Sequence, residues 1–149
     1  MKRSQPAMAE DKISFKLKNN LSELDTLLQN LENFCVQLGL SKRCKCEIDL
    51  VSEELFTNII SHGYTDDTEH WIEITISFEH GTLIMRIEDD GTPFNPLEEV
   101  ESPDLDSPLE ERCVGGLGVH LAKHFTKDVV YERRGNKNIL TLKKVISET

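Results

Sequence analysis

Ile13, Phe15 and Leu17 alternate with Ser14 and Lys16, the period-two pattern of a strand with one buried face. Leu24, Leu27, Leu28, Leu31, Phe34, Cys35 and Leu38 then recur at helical spacing behind the cap candidates Asn20 and Ser22, and Gly39 closes the run. A second helix is predicted from near Ser41 to Gly63, with Ile48, Val51, Leu55 and Ile59 as its apolar stripe. Ile72, Ile74, Ile76 and Phe78 alternate with polar residues, and Glu79-His80-Gly81-Thr82 turns the chain into a further strand from Leu83 to about Asp89, so this stretch reads as a hairpin. After Gly115-Gly116-Leu117-Gly118 a short helix carries Val119, Leu121, Ala122 and Phe125. Two strands follow, Asp128 to Arg133 and Asn138 to Val145, joined at Arg134-Gly135-Asn136-Lys137. Elements in this order predict an α+β fold, a two-layer sandwich with a mixed, mostly antiparallel sheet and the helices packed on one face.

Between Gly91 and Arg112 the periodicity stops. Pro93, Pro96, Pro103 and Pro108 break the segment, and Glu98, Glu99, Glu101, Asp104, Asp106, Glu110 and Glu111 make it acidic. A loop of this length inside a compact domain is either a functional lid or a locally disordered segment.

With 149 residues the chain has the size of one domain, and its first residues, 1–11, read as a flexible tail because no apolar stretch follows Lys2 and Arg3. No apolar run approaches the roughly 20 residues that span a bilayer, and the expected location is the cytoplasm. Cys35, Cys44, Cys46 and Cys113 lack the paired spacing of a zinc site and are expected to be reduced thiols. A net charge of −10 argues against direct nucleic-acid binding, since phosphate contacts need Lys and Arg. The same charge sits badly beside a nucleotide unless a divalent cation and backbone dipoles offset it.

Glu54 and Asn58 lie one helical turn apart, on the flank of the apolar stripe. An amide oxygen is a hard ligand for Mg²⁺, and a carboxylate four residues away can take a proton from an attacking hydroxyl. The same pair also reads as a solvated helix edge. Asp89 is in phase with Leu83, Met85 and Ile87, which turns its carboxylate toward the core. There it needs a donor: an adenine amino group, or its own backbone in an Asp-Asp-Gly turn. Gly116, Leu117 and Gly118 lead into a helix, so their backbone can approach phosphate oxygens, or they form an ordinary loop-to-helix joint.

The ordered set is a Glu-x-x-x-Asn helix, an Asp-x-Gly strand end with Pro93-Phe94 after it, a long loop and a glycine turn. It resembles the GHKL ATPases, whose Bergerat ATP-binding fold is shared by sensor histidine kinases, gyrase-type topoisomerases and mismatch-repair ATPases. More closely, Glu53-Glu54-Leu55-Phe56-Thr57-Asn58-Ile59-Ile60 with His62-Gly63-Tyr64 is similar to the helix motif of the anti-sigma-factor serine/threonine kinases of the RsbW type. The resemblance covers roughly residues 17–144 and implies ATP and Mg²⁺ as ligands. By position it implies Asn58 as the metal ligand, Glu54 as the catalytic base and Asp89 as the reader of the adenine amino group. It also implies Gly91 as a second fixed point of that box, Gly116 and Gly118 at the root of an ATP lid, and residues of about 91–114 as the lid. The implied partners are an anti-sigma-factor antagonist and a sigma factor, with a homodimer as the family-level expectation.

Two departures bear on activity. Val114 stands where some of these kinases place an arginine just before the lid-root glycines, and Arg112 is the nearest cation. The acidic lid would repel phosphate on tight closure. With no phospho-accepting histidine segment in the sequence, an active kinase is expected to act on another protein. Two functions therefore stand beside each other: a protein serine/threonine kinase, and an ATP-binding module that sequesters a partner without phosphotransfer. An interaction domain that binds no nucleotide is the third.

Overall fold

The computed structural model describes residues 10–66, 68–95 and 128–146. Strand β1 spans Glu10–Lys18, helix α1 Leu24–Leu38, helix α2 Lys42–Gly63, β2 Trp71–Glu79, β3 Thr82–Asp89, β4 Asp128–Arg134 and β5 Lys137–Val145. The strands form one sheet in the order β1-β2-β3-β5-β4, and each of its four pairings is antiparallel. β1 begins three residues before the alternation that announces it, taking in Glu10 and Asp11, which pair with Glu79 and Phe78.

The inward row of the sheet is mainly apolar. Leu17, Ile72, Ile74, Ile76, Leu83, Met85, Ile87, Leu140 and Leu142 join Leu27, Leu31, Phe34, Ile48, Val51, Leu55, Phe56 and Ile59 of the two helices in one core. The outward row is mainly polar, though Trp71 and Val145 stand exposed in it: Ser14 meets Glu73 and Thr75 through its hydroxyl, and Glu88 pairs with Arg86 and Lys137. That asymmetry places both helices on one face and produces the expected two-layer sandwich.

Local chemistry sets the joints. Ser41 caps α2, its hydroxyl accepting from the Cys44 backbone N–H at 3.1 Å. Gly39 ends α1 as expected, with its N–H on the Val36 carbonyl and that of Leu40 on the Cys35 carbonyl. At the start of α1 the expected caps do something else. A 3₁₀ turn, Leu21–Glu23, intervenes, and Asn20 caps that turn through Ser22 N–H, so Glu23 precedes α1 without a side-chain cap. The β2–β3 turn holds His80 and Gly81 at φ 51° and 77°, the pair of left-handed residues that a tight two-residue hairpin needs. Among the described cysteines none is disulfide-bonded, and burial pushes the Cys35 thiol up to about 12.

Candidate nucleotide site

One row of the sheet assembles the site. Register sets Leu17 opposite Ile72, Ile72 opposite Asp89, Asp89 opposite Asn138, and Asn138 opposite Arg133. Asp89, the last residue of β3, is 3% exposed. Its Oδ1 accepts from the Gly91 N–H at 2.8 Å and from Asn138 Nδ2 at 3.0 Å. Of the two donors set out from the sequence, the backbone one is present, the Gly91 N–H of an Asp-Asp-Gly turn, and Asn138 joins it. Burial pushes the Asp89 carboxyl above its ordinary range. The Asn138 and Gly91 hydrogen bonds and the Arg133 charge pull it back, while the neighbouring Asp90 charge adds to the rise.

A braced network stands behind that carboxylate. Asn138 Oδ1 accepts from the Tyr131 hydroxyl and, at 3.1 Å, from Arg133 Nη1. With its oxygen so engaged, the amide must turn its Nδ2 toward Asp89 and the Thr92 carbonyl, 2.9 Å away. Arg133 Nη1 also donates to the Gly91 carbonyl at 2.8 Å. None of Asn138, Arg133 and Tyr131 was a sequence candidate. The signal was present for Asn138, which is polar yet in phase with the core residues Leu140 and Leu142.

Gly91 is pinned against the end of α2. A Cβ at this position would meet the Gly63 carbonyl oxygen at 2.4 Å and Asp89 Oδ1 at 3.0 Å, and the Thr92 N–H donates to the same Gly63 carbonyl at 2.7 Å. His62 stacks on Phe94 with ring centroids 4.9 Å apart. The C-terminal turn of α2 and the β3 exit are therefore tied into one joint, the hinge, a name for its place and not for any motion.

Asn58 lies five residues before Gly63, about 7.5 Å along the axis, and Glu54 one turn further. Asn58 is 4% exposed, and its Nδ2 has no hydrogen-bond partner among the described residues. Glu54 is half-buried on the same side of the helix. A buried N–H left without a partner costs about 1–3 kcal/mol. Among the described residues no three His, Cys, Asp or Glu side chains cluster to hold a metal. The atom of Asn58 that would ligate Mg²⁺ is its Oδ1, and that ion retains waters and takes most of its other ligands from phosphates. The structure thus brings Asp89, Gly91 and the end of α2 together. Gly116, Leu117, Gly118 and the lid beyond Asn95 lie outside the described residues.

A five-stranded antiparallel sheet with two helices on one face, and an inward carboxylate at the β3 exit packed against the end of α2, is an arrangement compatible with a domain of the histidine kinase-like class. Residues 17–144 match the family described as the histidine kinase-like ATPase domain, and the chain belongs to that family. It is 30% identical to the serine/threonine-protein kinase BtrW of Bordetella bronchiseptica over 112 residues, which is 75% of this chain and 78% of that protein. It is 31% identical to the anti-sigma F factor of Bacillus subtilis over 121 residues, covering 76% of this chain and 82% of the relative. The crystal structure of the RsbU and RsbW domains of Rv1364c from Mycobacterium tuberculosis shares the fold, with a TM-score of 0.62 at 13% identity over 91% of this chain and 33% of that one. No described helix is long and apolar enough to cross a membrane.

Proposed function

We propose that this chain is a Mg²⁺-ATP-dependent protein serine/threonine kinase that phosphorylates an anti-sigma-factor antagonist and also sequesters a sigma factor. The observation that carries the reading is the Asp89 carboxylate, buried and aimed by Gly91 and Asn138, on the same hinge as a helix bearing Glu54 and Asn58. The similarity to BtrW and to the anti-sigma F factors supports the choice of acceptor and partners.

In this reading Asp89 receives the adenine amino group in a charge-assisted hydrogen bond. Asn58 would hold Mg²⁺, which when bound offsets the phosphate charge. Glu54 takes the proton from a serine or threonine hydroxyl as its oxygen bonds to the γ-phosphorus. The bond to the β–γ bridging oxygen breaks, and ADP leaves. Gly116, Leu117 and Gly118 supply backbone N–H groups to the phosphates.

Val114 and the acidic lid favour a second reading, in which ATP is a structural ligand of a sequestering module. Calorimetry with ATP, with and without Mg²⁺, tests what the two share. Phosphopeptide mass spectrometry after incubation with MgATP and host-cell extract separates them. Under the kinase reading Glu54→Gln loses the phosphoserine or phosphothreonine product and keeps its ATP affinity. Intact binding with no product from the wild type selects the sequestering module, and absence of ATP binding refutes both. Light scattering on the purified chain tests the expected homodimer.

A further inference from the structure

His70 sits in the connection between α2 and β2, with both ring nitrogens on carboxylates. Nε2 lies 3.0 and 3.2 Å from the two Asp66 oxygens and 2.8 Å from the Thr68 hydroxyl. Nδ1 lies 3.2 Å from Asp90 Oδ1 and 3.4 Å from Asp90 Oδ2. A neutral imidazole has one N–H and cannot donate to both carboxylates, whereas the imidazolium has two. The ring stacks on Tyr64 with centroids 4.6 Å apart, and the Tyr64 hydroxyl donates to Asp90 Oδ1 at 3.4 Å. The His70 backbone is anchored in turn, its N–H on Asn19 Oδ1 at 2.9 Å and its carbonyl on the Asn19 N–H at 3.0 Å.

Asp90 stands between Asp89, the adenine reader, and Gly91, the hinge glycine. We propose that His70 is a positioning residue for the nucleotide hinge: its imidazolium ties Asp66 to Asp90 and so makes nucleotide affinity depend on pH. The inference rests on the nucleotide reading of the site. Its physical route is short. The Asp90 charge raises the pKa of Asp89, and a cation on Asp90 offsets that charge while holding the 89–91 peptide in place. As pH rises through the His70 pKa the clamp loses its charge, Arg133 remains as the cation acting on Asp89 while Asp90 loses its own, and affinity falls.

Among the described residues the titratable groups facing His70 are Asp66 and Tyr64 from its own connection and Asp90 from the β3 exit. On the β1 side Asn19 is uncharged, and Lys18 pairs with Glu69 at 2.9 Å. Burial alone would lower the His70 pKa, but the hydrogen bonds and charges of Asp66 and Asp90 outweigh it and leave the group above its ordinary value. Asp66 moves the opposite way, below the usual carboxylate range, chiefly through its bonds to Thr68 and then to His70.

The test uses the full chain and Mg-ADP. The Kd is measured by calorimetry from pH 6 to 8.5 for wild type, His70→Gln and Asp66→Asn, and the His70 ring proton is titrated by NMR without nucleotide, assigned by its loss in His70→Gln. The expected ring pKa lies above 6.5, the ordinary histidine value. Wild-type affinity should weaken about two- to fivefold relative to His70→Gln across the range, the scale of a part-exposed ion pair. The ratio to His70→Gln cancels the ionisation of ADP itself. Asp66→Asn, a change on the exposed side of the clamp, should move the ring pKa and the affinity profile together to lower pH. Parallel profiles in wild type and His70→Gln overturn the proposal and leave the nucleotide site standing. Absence of ADP binding in all three refutes the nucleotide reading and this proposal with it, whereas a ring pKa at or below 6.5 overturns the clamp alone.

Discussion

Toward its N-terminus α2 buries Cys44, Ile48 and Val51 and keeps its charges at the rim, where Glu47 meets Lys144 and Lys45 meets Glu32 and Asp49. Toward its C-terminus the same helix buries Asn58 and Gly63, beside a carboxylate that is 3% exposed. Each apolar side chain at the first end contributes roughly 1.5–3 kcal/mol. At the second end an unpaired amide and a desolvated carboxylate work against folding by amounts of similar size. Unpaired polar burial is not confined to one end, since Asp49 Oδ1 in the N-terminal half also lacks a partner among the described residues, but only the C-terminal end adds a buried carboxylate beside it.

Removing apolar bulk where the two ends meet should have the largest effect. Leu55 is fully buried, and Leu55→Ala should cost about 2–5 kcal/mol in urea unfolding, with the nucleotide affinity of the folded fraction little changed. A loss below about 1 kcal/mol would mean that the stripe is not the core it appears to be by burial.

Asp89→Asn should produce the reverse pattern. Losing a charge-assisted bond to the adenine amino group should weaken nucleotide binding by about 1.5–3 kcal/mol, roughly 10- to 150-fold by calorimetry. Stability should hold or rise at neutral pH. The folded carboxyl titrates above its unfolded value, so its favourable contribution is present below the unfolded pKa and lost as pH rises through the folded one. The stability gap between variant and wild type should therefore close as pH falls through that raised pKa. A variant that binds nucleotide as tightly as wild type removes Asp89 from the site.

Gly91→Ala attacks the joint between the regions. Its methyl would meet backbone at 2.4 Å, so α2 or the β3 exit must shift, at about 1–3 kcal/mol of stability together with weaker nucleotide binding. Unchanged affinity with lowered stability would make Gly91 a packing residue only.

What could be read from the sequence follows from the range of the forces involved. Alternation in β1 and β2, the 3.6-residue stripe of α2 and the Ser41 cap are local patterns, and each element appears with its ends within a few residues of the expected place. The inward turn of Asp89 was legible because it shares a period with Leu83, Met85 and Ile87. Its partners were not. The row that sets Asn138 and Arg133 beside Asp89 depends on β5 inserting between β3 and β4, a register fixed by long-range pairing. The contact of Gly63 with Gly91 is likewise tertiary, as is the His70 clamp, whose Asp66, Asp90 and ring come from two separate connections. The 3₁₀ turn before α1 escaped because Asn20 and Ser22 suit either helix type as caps.

The smallest effect tests the apolar end by improving it. A cavity of about 30 Å³ lies between α2 and the sheet, lined by Ile48, Val51, Leu83, Met85 and Leu142, with the Glu47–Lys144 pair at its rim. Its walls offer water no polar partners, and an added methyl group matches its scale. Val51→Ile should therefore raise stability by about 0.5–1 kcal/mol, read as a higher urea midpoint at constant slope, with nucleotide affinity unchanged. A fall of about 1–3 kcal/mol would instead reveal a wall too rigid for the methyl. The matching change at the other end is Asn58→Leu, which replaces a buried amide whose Nδ2 lacks a partner among the described residues with an apolar side chain of similar size. It should also stabilise the fold, yet abolish Mg²⁺-dependent nucleotide binding. If both substitutions stabilise and only the second removes the ligand, the polar burial at the C-terminal end of α2 is there for ATP.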